Sequence, residues 1–335
     1  MERIAINGLG RIGRLAVRQL GAEEGLLGAV NDPAPLDQLV QLLRFDSVHG
    51  PSPLAVDGQT EAGRDFLLLG ARRVPLFHAP DPAAIPFPAT TRLVVEASGR
   101  FTRRTEAARH LKGGVSHVVI SAPSPDADAT IIAPVNGGDL DPARHRVVSN
   151  ASCTAHATAP MLKILDEAFG LEQAGMSTVH VVTNDQRLLD LPHKDRRRGR
   201  AAFQSIIPTT SSAFGALRRA MPDLPGGFDG VALRVPTLSV NLVDLVATLR
   251  RDAEPGALRA AFAAAAAGRW RGLVALAEPH TVSRDVTGRS ESVVMDLDLT
   301  RMLGPRFVKV LGWHDNETGY AARLCELVVD LAGRI

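Results

Sequence analysis

Asn7-Gly8-Leu9-Gly10-Arg11-Ile12-Gly13-Arg14 lies between an apolar run and a segment of helical period, and its reading decides the fold. Residues 3–8 read as a strand, and Ile12, Leu15, Ala16 and Leu20 recur at helical spacing behind it. Leu27 to Asn31 is strand-like again, which makes a βαβ unit. Gly8, Gly10 and Gly13 allow a tight turn and a close backbone approach to a pyrophosphate at the helix N-terminus. Asp32 stands nineteen positions beyond Gly13, at the end of the second strand. A carboxylate there accepts hydrogen bonds from an adenine-ribose diol and repels a 2′-phosphate, so NAD is expected rather than NADP.

Working outward, strands are expected at 93–96, 118–120 and 147–148, with a helix over 105–111. This alternation is that of a parallel sheet with crossover helices, a Rossmann-type α/β domain over residues 1–150. A helix is expected over 161–169, after Pro160, followed by strands near 176–182, 233–235, 241–249 and 292–299. Their β-branched, alternating character predicts an α+β domain with a mainly antiparallel sheet over 151–318. A connecting helix is expected over 255–267, where the alanine run needs only its helix propensity as explanation. The amphipathic stretch from 319 is expected to pack back onto the first domain, which 319–335 would complete.

The composition sets bounds on function. With 335 residues, 45% apolar and 22% charged, the chain can bury two ordinary cores. A formal charge of +2 supplies no global field toward nucleic acid or membranes. Arg196 to Arg198 with Arg200 reads as a solvated or interface loop in such a chain. Two cysteines, Cys153 and Cys325, cannot make a disulfide framework, and a reducing compartment fits. The N-terminal residues show no signal-peptide pattern and no apolar stretch reaches bilayer length, so a cytoplasmic protein with small-molecule or protein partners is expected.

Ser149-Asn150-Ala151-Ser152-Cys153-Thr154 follows a strand and precedes an apolar helical pattern, which puts Cys153 at a strand-to-helix turn. Orphan N–H groups and the positive end of the helix dipole there are expected to lower the thiol pKa and to hold an oxyanion. His180, on the following strand, is the candidate base. Cys153, His156 and His180 show none of the paired spacings of a metal site, and no metal is expected.

Together these residues resemble the phosphorylating glyceraldehyde-3-phosphate dehydrogenase family over nearly the whole chain. Besides the glycine turn and the Ser149 to Thr154 stretch, the resemblance is carried by Asn31-Asp32-Pro33, Asp46 to Gly50, Thr183-Asn184-Asp185-Gln186, Leu191 to Asp195, Arg234 to Thr237 and Asp315-Asn316-Glu317. It implies that Cys153 attacks an aldehyde, that His180 takes the thiol proton, and that hydride passes from a hemithioacetal to NAD. The remaining thioester is then cleaved by inorganic phosphate. The resemblance assigns Thr183, Arg198 and Arg234 to the substrate phosphate, with Asp185 in the same loop. It assigns Ser152, Thr154 and Ser211 to the attacking phosphate, with Ser212 beside them. Arg11 and Ile12 match backbone donors to the pyrophosphate, Ser121 and Asn316 approach the nicotinamide, and Tyr320 stands at its expected place nearby. Leu191-Pro192 resembles the NAD-preferring version, and the loop that follows implies a homotetramer.

The chain also departs from that pattern. Ala155-His156-Ala157 stands where Thr-Asn-Cys is usual, and Ser211-Ser212 where Thr-Gly is usual. Val182, His314 and Thr318 replace aromatic residues, and Pro80 falls near a usual arginine. Two rival readings therefore stay open. One is oxidation of another phosphorylated aldehyde, such as erythrose 4-phosphate, with water breaking the thioester. The other is a non-catalytic dinucleotide-binding protein.

Overall fold

The computed structural model describes residues 3–22, 25–224 and 227–335, which fall into two compact units. One comprises Met1–Ala151 with Ala321–Ile335, and the other Ser152–Tyr320.

The first unit is built on a nine-stranded sheet. Ala129–Thr130, Val147–Ser149, His117–Ile120, Leu93–Glu96, Ile4–Asn7, Leu27–Asn31 and Arg72–Phe77 lie side by side in that order, all parallel. Arg64–Leu69 and Val56–Glu61 extend the last of them as an antiparallel ribbon. Ile4, Ala5 and Ile6 are all fully buried, as a central strand covered on both faces requires. The helix Arg11–Ala22 follows the first strand, and Leu324, Leu327, Val328 and Leu331 of the helix Thr318–Arg334 share a core with Ile4 and Ile6. That shared core is what the apolar stripe of the C-terminal segment is for. The segment expected as one helix over 105–111 is shorter: Arg104–Ala107 is α-helical and Ala108–His110 is a 3₁₀ turn.

Behind the glycine turn, Arg11 is ion-paired with Asp46, whose other oxygen accepts the N–H groups of Val48 (2.9 Å) and His49 (3.0 Å). Burial alone would raise the Asp46 carboxyl, but the Arg11 guanidinium and the two backbone donors outweigh it and hold the group well below the usual carboxylate range. A depressed carboxyl pKa contributes stability above the unfolded pKa of about 4 and loses it as pH falls below that. Asp46→Asn is expected to cost ~2 kcal/mol at neutral pH, read as a lower Tm. The Tm gap from the parent should close in acid; a gap that widened there would contradict this account.

The second unit carries a seven-stranded sheet in the order Ile207–Thr209, Phe228–Arg234, Leu171–His180, Asn241–Leu249, Phe307–His314, Val293–Met302, Val274–Leu276. Four of these six pairings are antiparallel, while those of Leu171–His180 with Phe228–Arg234 and of the last two strands are parallel. Burial alternates strictly along Asn241–Leu249, so one face of the sheet meets the core. That face receives the helix Cys153–Phe169: a Cβ at Gly312 would lie 2.5 Å from Val293 and 3.1 Å from the Met161 sulfur. The helix expected after Pro160 thus starts at Cys153 and runs through the proline. Pro160 removes the N–H that would bond the His156 carbonyl, at a cost of about 3 kcal/mol. Ala157 to Leu162 are all buried, and that packing holds the helix together across the gap.

Candidate active site

The thiol is placed by local chemistry. Ser152 has extended backbone angles and its hydroxyl accepts the N–H of Ala155 at 3.1 Å, an N-cap that makes Cys153 the first helical residue. Ala151 is in the left-handed region (φ 52°), which turns the chain sharply before the nucleophile. Cys153 is half-buried, with Sγ 3.9 Å from His180 Nε2 and 4.0 Å from Thr154 Oγ1.

His180 ends its strand, and parallel register sets Arg234 beside it. One guanidinium nitrogen of Arg234 is 2.8 Å from His180 Nδ1 and donates to the Val181 carbonyl at 3.2 Å. The same carbonyl lies 2.8 Å from Nδ1. With the proton on Nδ1, donated to Val181, Nε2 turns a lone pair toward the sulfur. With Nδ1 accepting from Arg234, Nε2 presents an N–H instead. Both forms have a partner, which suits a group that must take and return a proton.

Burial pushes the His180 imidazole down to about 3, and the charges of Arg234, His314 and Arg198 add to the effect. It is therefore neutral at pH 7. Burial also pushes the Cys153 thiol up, against the Thr154 hydroxyl, the Arg234 charge and the first N–H groups of the helix. The lowering expected from the helix terminus is present but outweighed, because the sequence does not reveal how far the sulfur sinks below the surface. A neutral thiol facing a neutral imidazole is the resting state.

Two guanidinium groups suited to anions, those of Arg234 and Arg198, act on His180. Arg234 Nε is buried and has no partner among the described residues. Arg198 is ion-paired with Asp185 and Asp195 and donates Nε to Thr209 Oγ1 at 2.9 Å and a terminal N–H to the Thr210 carbonyl at 3.4 Å, so its head is held from several sides. Burial raises the Asp185 carboxyl, but Arg198 and His193 outweigh it and keep it ionised. Thr183 donates its N–H to Gln186 Oε1 at 3.0 Å within the same loop. Ser211 Oγ accepts the N–H of Ala213, and Ser212 begins the helix Ala213–Ala220 with φ −71°. That right-handed conformation needs no glycine, so the serine adds a hydroxyl without backbone strain. Asn316 Oδ1 accepts the N–H of Val240 at 3.2 Å, an unusual β-branched residue at φ 68°. Tyr320 is buried with its ring 5.8 Å from that of His156.

His314 is the residue that sequence reading undervalued. It is fully buried, its Nε2 is unpartnered among the described residues, and burial followed by the His156 charge pushes its basicity down to about 3. His314 in turn depresses His180. The two histidines that depart from the family pattern are thus electrostatically linked to each other and to the base.

The first unit carries the dinucleotide candidates. Asp32 accepts the N–H of Leu9 at 2.7 Å and that of Ala34 at 2.9 Å, which pins the carboxylate at the turn. A Cβ at Gly8 would meet Ser98 Cα at 2.4 Å and one at Gly13 would meet the Gly8 carbonyl at 1.9 Å, whereas Gly10 faces open space. Two glycines are therefore required by packing, and the middle one leaves a bare backbone beside the start of the helix Arg11–Ala22, where Arg11 and Ile12 stand. This cradle fits a pyrophosphate. Ser121 donates its N–H to the Glu96 carbonyl at 2.9 Å and closes the neighbouring strand end. Among the described residues, no group of three or more His, Cys, Asp or Glu is arranged to hold a metal ion, and no helix is long and apolar enough to cross a membrane.

Comparison with known proteins agrees with this geometry. Residues 2–104 match the family described as glyceraldehyde 3-phosphate dehydrogenase, NAD binding domain, and residues 152–316 its C-terminal domain. The chain is 42% identical to the glyceraldehyde-3-phosphate dehydrogenase of Geobacillus stearothermophilus over 334 residues, covering 99% of this chain and 98% of the relative. It is 42% identical to glyceraldehyde-3-phosphate dehydrogenase 1 of Bacillus subtilis (99% and 98% covered) and 41% identical to the Streptomyces coelicolor enzyme (99% and 99%). With both domain descriptions matched and full-length relatives well above 30% identity, the chain belongs to the glyceraldehyde-3-phosphate dehydrogenase family.

Proposed function

We propose that this protein oxidises glyceraldehyde 3-phosphate, with NAD and inorganic phosphate, to 1,3-bisphosphoglycerate. The observation that carries the reading is the cluster of Cys153 Sγ, His180 Nε2 and Arg234, in which a thiol, a neutral base and a buried guanidinium N–H without a partner among the described residues converge. Family membership supplies the substrate class.

Sγ attacks the aldehyde carbon while His180 Nε2 takes the thiol proton and returns it to the carbonyl oxygen, giving a hemithioacetal. His180 then removes that hydroxyl proton as hydride leaves the carbon, and a thioester remains on Cys153. NAD, when bound, supplies the two-electron acceptor. A phosphate oxygen attacks the thioester carbon, the C–S bond breaks, and the sulfur departs as thiolate to be reprotonated by His180. Arg234, Arg198 and Thr183 hold the substrate phosphate, and Asp185 serves by fixing Arg198. Ser152, Thr154, Ser211 and Ser212 receive the attacking phosphate. Gly8, Gly10, Arg11, Ile12, Gly13 and Asp32 hold the dinucleotide, with Ser121, Asn316 and Tyr320 on its nicotinamide side.

In this reading residues 1–150 with 319–335 form the NAD-binding domain and 151–318 the catalytic domain, in a cytoplasmic homotetramer. Leu188, Leu189, Leu191 and Ile206, all strongly exposed in one loop region, support assembly through that surface. Light scattering tests it: Leu189→Asp is expected to lower the mass of the particle, and a parent that is already monomeric would contradict it.

The activity itself is tested by comparing turnover of glyceraldehyde 3-phosphate and erythrose 4-phosphate with phosphate present and absent. Phosphate-dependent oxidation of the triose phosphate as the better substrate is expected. Phosphate-independent oxidation of the tetrose as the better substrate would overturn it.

A further inference from the structure

Beneath the glycine turn lies a buried polar network that the mechanism does not use. The carboxylate of Glu96, 2% exposed, accepts Asn7 Nδ2 at 2.6 Å and His110 Nε2 at 2.8 Å on one oxygen. Its other oxygen accepts the Ser98 N–H at 2.9 Å and the Ser98 hydroxyl. Asn7 Oδ1 accepts Asn31 Nδ2 at 2.7 Å, and Asn31 exchanges a pair of hydrogen bonds with the backbone of Ala79. One carboxylate thus gathers the ends of three adjacent parallel strands, Ile4–Asn7, Leu27–Asn31 and Leu93–Glu96.

The position of this network relative to the turn is what gives it meaning. Asn7 immediately precedes Gly8, and Asn31 immediately precedes Asp32. Ser98, held at both its N–H and its hydroxyl, is the residue against which Gly8 packs with no room for a Cβ. An apolar side chain of similar size would fill the core without the cost of a buried charge. Four donors set around one carboxylate instead fix distances and angles, at the additional cost of a His110 Nδ1 that has no partner among the described residues.

We propose that Glu96 is a positioning residue for the cofactor: through Asn7, Asn31 and Ser98 it sets the glycine turn and the Asp32 carboxylate in the geometry a dinucleotide requires. The inference rests on the NAD reading above. It predicts a defect confined to NAD binding rather than to the chemistry at Cys153.

The test is Glu96→Gln, which keeps the shape but turns an amide NH₂ toward groups that are all donors. NAD affinity of the full-length protein, measured by calorimetry, is expected to fall about tenfold or more. KM for NAD should rise by the same factor, while kcat at saturating NAD and KM for the aldehyde stay within about twofold. The rate at which iodoacetamide labels Cys153 without NAD should not change. Ser98→Ala, which removes one donor and keeps the backbone N–H, is expected to weaken NAD about threefold and stands as the readout if Glu96→Gln does not fold. NAD affinity within twofold of the parent in folded Glu96→Gln, or in Ser98→Ala alone if the first variant is lost, would overturn the inference. So would a fall in kcat with KM for NAD unchanged. A parent protein that binds no NAD would instead sink the cofactor reading itself.

Discussion

Replacing Cys153 by serine is expected to lower oxidation of the aldehyde about ten-thousandfold while leaving NAD affinity within severalfold. The size of the loss follows from the chemistry. A serine hydroxyl is ionised far less readily than a thiol, and His180, held neutral with a pKa of about 3, is too weak a base to make up the difference. The second arm follows from the chain's division of labour: the dinucleotide cradle of Gly8, Gly10 and Asp32 belongs to one unit and Cys153 to the other. Formation of reduced cofactor and calorimetric NAD binding measure the two arms separately. Ordinary oxidation by the variant would refute the nucleophile, whereas loss of both readouts together would point to a structural defect.

Arg234→Leu is expected to reduce kcat/KM for the phosphorylated aldehyde by a factor on the order of a few hundred, since it removes charge-assisted hydrogen bonds worth about 1.5–3 kcal/mol each. Unphosphorylated glyceraldehyde should lose much less. A second consequence separates this from simple loss of binding. The Arg234 charge lowers both the Cys153 thiol and the His180 imidazole, so its removal moves both upward. At a given pH less thiolate is present, and the pH profile for alkylation of Cys153 should shift to the alkaline side. A shift toward acid, or equal losses for the two aldehydes, would show that the guanidinium does not act on the thiol or on the phosphate as described.

Local pattern made much of the fold legible. Leu27–Asn31, Leu93–Glu96, Asn241–Leu249 and Pro255–Ala267 stand where periodicity puts them, because each is either buried on both faces, strictly alternating or rich in alanine. The ribbon from Val56 to Phe77 was not anticipated. Its first strand, Val56–Glu61, is exposed at most positions and carries little apolar signal, and its partners are chosen by tertiary contact. Pro160 misled for the opposite reason: a strong local signal was overridden by the burial of every residue from Thr154 to Leu162.

The candidate site shows the same division. The glycine turn and the Ser-Cys-Thr stretch are local, so their place at strand-to-helix turns can be read directly, whereas the burial that raises the Cys153 thiol cannot. The juxtaposition of His180 and Arg234 is decided by parallel strand register across 54 positions, which no spacing rule reveals. The link from His156 to His314 and on to His180 likewise needs a helix and a strand to meet. Glu96 gave no signal at all, since a lone acid at a strand end ordinarily reads as a solvated terminus.

In the proposed reaction one sulfur carries the acyl group between oxidation and phosphorolysis. A single-turnover experiment with phosphate withheld, followed by intact-protein mass spectrometry, tests it most directly. One equivalent of reduced cofactor per chain is expected, with an acyl adduct on Cys153 that added phosphate discharges as an acyl phosphate. Full turnover without phosphate, or oxidation that leaves Cys153 unmodified, would contradict it.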